Sequence, residues 1–140
     1  MAPNQKKIAF SHTTNIGVEL WIIDVVSAQA TKLTEANVNA NMGNPFSWFA
    51  DSQSILVRML VQNRPALIDV KKDLPTGPIV SNTSGEKSQN RTYPDMLKNK
   101  NDEYNFENAI TSELYKVNLN GNAVLFKEAA MFFGERISPD

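Results

Sequence analysis

With 140 residues, 41% apolar content and a formal net charge of −1, the chain suits one ordinary domain with a buried core. Its 14 Lys and Arg residues are scattered, which argues against nucleic acid or an anionic membrane surface as a partner. The absence of cysteine excludes disulfides, thiolate-bound zinc and thiol catalysis.

No apolar run approaches the ~18–20 residues needed to span a bilayer as a helix. Met1 to Lys7 has no apolar stretch of the kind that a signal peptide needs. Lys7 to Thr13 is rich in β formers and reads as a strand. Asn15-Ile16-Gly17 is a hairpin turn, because Asn and Gly tolerate positive φ. Val18 to Val26 is the next strand, and its continuous apolar run suits a strand covered on both faces. Ser27-Ala28-Gln29 turns the chain into a short outer strand, Ala30 to Thr34. Glu35 to Asn44 is an asparagine-rich loop.

Phe46 and Trp48 alternate with Ser47, which is strand periodicity. Ala50-Asp51-Ser52-Gln53 is a turn and Ser54 to Val61 a strand with an apolar middle. Lys71 to Pro78 reads as a turn, Ile79-Val80 as a short strand, and Ser81 to Asn90 as loop composition. Thr92 is placed to cap a short helix that carries Pro94 in its first turn and ends at Asn99 to Asp102. Asp102 to Ile110 reads as a second short helix, with an irregular edge strand as the alternative. Ser112 to Leu119, the Asn120-Gly121 hairpin signal and Ala123 to Lys127 make a strand pair. Met131 to Ile137 reads as the first strand of a further unit.

One phrase recurs through these elements. Glu19-Leu20-Trp21-Ile22-Ile23-Asp24-Val25, Arg64-Pro65-Ala66-Leu67-Ile68-Asp69-Val70 and Glu113-Leu114-Tyr115-Lys116-Val117-Asn118-Leu119 each join an apolar cluster to a terminal Asp or Asn. Asp24 lies 45 positions before Asp69, and Asp69 lies 49 before Asn118. Small polar turns give a second ruler: Pro3-Asn4-Gln5 and Ala50-Asp51-Ser52 are 47 positions apart. Repeats of ~40–50 residues built from short strands are the signature of propeller blades. The expectation is an all-β partial β-propeller of about three blades, with a helical insertion near 92–110. Its blade units are 1–44, 45–80 and 81–130, and 131–140 opens the next blade.

His12, the only histidine, lies in a strand with no nucleophile motif near it, so a structural role is expected. No G-x-S-x-G elbow and no phosphate-binding Gly-rich loop occurs. No catalytic residue, metal ligand or cofactor is therefore assigned. Asp102, Glu103 and Glu107 form an acidic group, which lacks the Gly and alternating oxygens of a calcium loop. Its bland reading is a solvated helix face. Asn82-Thr83-Ser84 and Asn90-Arg91-Thr92 match the glycosylation sequon. Trp21 and Trp48 are expected in the core.

The phrase with the following Lys32-Leu33-Thr34, the run Phe46-Ser47-Trp48 before Ala50-Asp51, and Ile137-Ser138-Pro139-Asp140 resemble blades of the WD-like propeller of secreted peptidases. Asn90 to Leu97, continuing through Asn101 to Glu107, is similar to an inter-blade segment of glutamyl-endopeptidase-like members of the prolyl oligopeptidase family. The resemblance covers essentially the whole chain. It implies a non-catalytic propeller segment that filters peptide substrates for an α/β-hydrolase domain carrying the Ser, Asp and His. It also implies a periplasmic or secreted parent. Propeller carboxylates hold the substrate amino terminus in dipeptidyl-type relatives, which makes Glu103 the substrate-binding candidate. The expected partners are the hydrolase domain, peptide and, through the open sides of an arc, further copies of the chain. The competing reading is a TolB-like propeller scaffold with no hydrolase partner.

Overall fold

The computed structural model describes residues 1–69 and 99–138, together with Gly85 and Leu97. The chain forms two compact units, Met1–Arg64 with Ile110–Asp140, and Pro65–Ala109. The first unit holds two antiparallel sheets. One is β1 (Lys7–Thr13), β2 (Val18–Asp24) and β3 (Ala30–Lys32), in that order. The other is β4 (Phe46–Trp48), β5 (Ser54–Leu60), β6 (Thr111–Asn118) and β7 (Ala123–Met131).

The strand pair β1–β2 of the first sheet and the pair β5–β6 of the second repeat one another in register. Lys7–Thr13 and Ser54–Leu60 lie 47 positions apart, the interval between the two polar turns. Phe10 pairs with Trp21 in the first sheet, and Val57 pairs with Tyr115 in the second. Trp21 and Tyr115 are therefore equivalent, 94 positions apart. The turns match as well. Gln5 and Ser52 both hold positive φ, near 60° and 54°. The Asn4 side chain accepts from the Lys6 N–H, as that of Asp51 does from the Gln53 N–H.

Pleating gives each sheet two faces. In the first sheet, Ala9, Leu20 and Ile22 share the front face, and Ile8, Phe10, Trp21 and Ile23 the back. In the second, the equivalent front positions are Leu56, Leu114 and Lys116, and the back carries Ile55, Val57, Tyr115 and Val117. The core joins the front of the first sheet to the back of the second: Ala9, Leu20 and Ile22 cluster with Ile55, Val57 and Val117. Opposite faces of equivalent sheets are thus in contact. That head-to-tail stacking is the relation between successive blades, and the fold is a nearly all-β partial propeller with no closed barrel among the described residues.

The described strands make two sheets, and the stretches 45–80 and 81–130 contribute strands to the same one. The second copy of the phrase does not occupy a strand over residues 64–69. It lacks the Glu and aromatic residue of the other two copies, and Pro65 removes a ladder donor. Within the second unit, the Asn105 side chain takes the place of a neighbouring strand, accepting from the Ile68 N–H at 2.7 Å and donating to its carbonyl at 2.8 Å.

The helix α1 (Lys100–Ile110) lies in the expected insertion. Asn99 starts it, its side-chain oxygen accepting the Asp102 N–H at 2.9 Å as an N-cap, and the Thr92 helix that Asn99 is expected to close lies outside the described residues. The Thr92 cap, the Ile79-Val80 strand and both sequons lie outside the described residues. β7 runs on to Met131, and residues 132–138 are not strand, contrary to the expected opening strand. The predicted turn at Gly17 forms, with the Thr14 N–H donating to the Gly17 carbonyl. A side chain at Gly17 would run into the Ala36 carbonyl.

Leu20 and Leu67 stand in the first two copies of the phrase but differ in burial, at 0% and 47% exposed. Leu20→Ala is expected to cost about 2–5 kcal/mol, and Leu67→Ala under about 0.5 kcal/mol. Urea unfolding monitored by tryptophan fluorescence checks this, and equal losses would contradict the two-sheet assignment.

Candidate functional site

β2 and β6 carry the polar elements of the repeat. Glu19 and Trp21 point to one face, two residues apart, and the Trp21 indole N–H donates to Glu19 at 2.8 Å. Glu113 and Tyr115 repeat the pair, with the phenol donating at 3.0 Å. In both strands a carboxylate and an aromatic donor hold each other flat against the sheet. The Trp21 hydrogen bond depresses the Glu19 carboxyl below the usual range. The bond to Glu113 raises the Tyr115 phenol.

A cleft of about 450 Å³ opens beside the Tyr115 pair, between the rims of the two sheets. Lys32, Glu35, Asn37, Gln62, Glu113 and Asn120 supply its polar groups, with Leu33, Met59 and Leu60 between them. The Lys32 ammonium bonds Glu35 at 2.9 Å and lies 3.6 Å from Glu19. The Glu35 bond leads in raising its affinity for the proton. Asn37 donates to the Met59 sulfur at 3.7 Å, and its buried side-chain oxygen has no hydrogen-bond partner. Such a lining offers amides, carboxylates and one ammonium, which recognise a polar ligand by hydrogen bonds and charge.

The residues singled out from sequence are not gathered there. His12 lies on the back face of the first sheet, 3.4 Å from Glu19 and edge-on to Trp21 with ring centroids 6.0 Å apart. Trp48 packs against the core as expected, whereas Trp21 is half-buried on the back face and outside the core cluster. Glu103 is exposed in the first turn of α1 beside Asp102, where carboxylates complement the positive end of the helix dipole. The Glu-x-aromatic pair is legible in the phrase, as Glu19-Leu20-Trp21 and Glu113-Leu114-Tyr115. Arg58 was hidden within an apolar run. It is buried, donates to the carbonyls of Met42, Asn44 and Phe132, and lies 3.6 Å from Glu135.

The Asp or Asn that ends the phrase closes the following turn. Asp24 accepts the N–H groups of Val26 and Ser27, and Asn118 those of Asn120 and Asn122. Asp24 also pairs with Lys7 at 3.0 Å. The Ser27 N–H, and after it the Lys7 ammonium, hold the Asp24 carboxyl well below the usual carboxylate range.

No protein-family model matches the chain, and no curated protein matches it. Among solved structures it is similar to the Pyrococcus horikoshii acylaminoacyl peptidase (orthorhombic crystal form), at 16% identity and a TM-score of 0.47, over 89% of this chain and 16% of that one. The chain thus spans about a sixth of that peptidase's length.

Because the native carboxyl of Asp24 is depressed, its stabilisation is full above the unfolded-state value of about 3.9 and is lost as pH falls below it. Asp24→Ala is expected to lower the urea midpoint most at neutral pH, and by progressively less below about pH 4. Unfolding curves at pH 7 and pH 3 check the trend, and a loss that grows on acidification would contradict it.

Proposed function

We propose that this chain is a non-catalytic propeller segment of a periplasmic or secreted serine peptidase of the prolyl oligopeptidase type. In this reading, bond cleavage belongs to an α/β-hydrolase partner domain and the propeller admits peptides while turning folded proteins away. The observation that carries it is the head-to-tail stacking of two equivalent sheets, each with its Glu-x-aromatic pair. The blade phrases and the 90–107 segment supply the peptidase connection.

Within this reading Glu103 receives the substrate's amino terminus. Its exposed position leaves the carboxylate accessible to an incoming ammonium group. The polar cleft between the sheet rims favours a second reading, a TolB-like binding module that acts without a hydrolase.

The purified chain is expected to take no label from a fluorophosphonate and to leave peptide and ester substrates intact; labelling with turnover would overturn the proposal. A short peptide with a free amino terminus should bind, and Glu103→Gln should weaken it about two- to fivefold, the range of an exposed ion pair. An N-acetylated peptide should not respond to the substitution. Equal binding of both peptides to both proteins, measured by NMR shift titration, would remove Glu103 from the site and favour the binding module.

A further inference from the structure

The contact between the two sheets uses only half of the surfaces that its own pattern provides. It joins a front face to a back face, which, among the described residues, leaves the back of the first sheet and the front of the second without a sheet against them. These two free faces are the two halves of the contact already made once. Ile55 and Val57 on the buried back face are 0% exposed, whereas their equivalents Ile8 and Phe10 on the free back face are each 37% exposed.

The connecting segment repeats as well. Gly43-Asn44-Pro45-Phe46-Ser47 leads from the first sheet into the second, and Gly134-Glu135-Arg136-Ile137-Ser138 follows the second. Both glycines hold positive φ, near 66° and 71°. Residues of the later segment lie against the free front face, where Leu56, Leu114, Phe126 and Ile137 line a largely apolar cavity of about 460 Å³. Arg58, on the same face, donates to the Asn44 carbonyl of the first segment and lies 3.6 Å from Glu135 of the second.

We propose that copies of this chain associate head to tail, the free back face of one docking on the free front face of the next. The occupant is a second copy because the surfaces continue an interface the chain already forms, with Val124 and Phe126 exposed on the front face and Lys116 standing in place of Ile22. Such a contact is heterologous, so it propagates into rings or open chains and does not stop at a two-fold dimer. This inference stands on the face pattern alone and is independent of the peptidase reading.

The test separates the two faces. Phe10→Glu spoils the back face and Phe126→Glu the front, both at positions exposed to solvent. Wild type should form concentration-dependent oligomers by light scattering after size-exclusion chromatography. Each variant alone should be monomeric. An equimolar mixture should form 1:1 dimers and nothing larger, because Phe10→Glu keeps its front face and Phe126→Glu its back. Should either variant fail to fold, Ile8→Lys and Val124→Glu make the same pair of lesions. A monomeric wild type, self-association of either variant alone, or a mixture that stays monomeric would overturn the proposal.

Discussion

The packing of Ala9, Leu20 and Ile22 against Ile55, Val57 and Val117 is the contact on which the rest of the described sheet structure depends. The three-stranded sheet and the four-stranded sheet each have an apolar face, and the layer between them is where both bury it. The direction of the contact matters as much as its area. Had like faces met, the pair would be closed on itself and the same contact could not be repeated by a further sheet. Because a front meets a back, every sheet added by the same rule leaves the same two faces open at its ends.

The spacing that makes this possible is held by small polar side chains. Asn4, Asp24, Asp51 and Asn118 each accept backbone N–H groups just ahead of them in the chain, closing the turns between strands. Donors that the ladder cannot satisfy are thereby paired, and neighbouring strands are returned in a fixed register. The Glu-x-aromatic pairs on β2 and β6 orient the rings at equivalent positions in the two sheets. Buried Arg58 joins the connecting segments to the sheet through carbonyl oxygens, which satisfies a charge that would otherwise be costly to bury.

The same logic explains why the middle copy of the phrase has no strand among its described residues. It has the apolar run and the Asp, but Arg64 and Ala66 stand where the other copies have Glu and an aromatic ring. Ile68 finds its backbone partner in the Asn105 side chain, within its own unit. Apolar composition was enough to make three copies look alike, and only two have the hydrogen-bonding groups that the strand position uses.

The strands, the turn residues and the 47-residue interval were all legible in the sequence, because alternation, β-branching and turn chemistry are local properties. So was the helical character of the insertion, although α1 begins at Lys100, ahead of the expected Asp102. Three matters were decided by tertiary structure alone. They are the membership of β4 to β7 in a single sheet, the placing of Trp21 on a free face while Trp48 meets the core, and the meeting of a front face with a back face. Each depends on which strands pair across a long insertion, and such pairing is set by packing between residues far apart in the chain. A local pattern specifies that a face is apolar; only the assembled sheets specify what covers it.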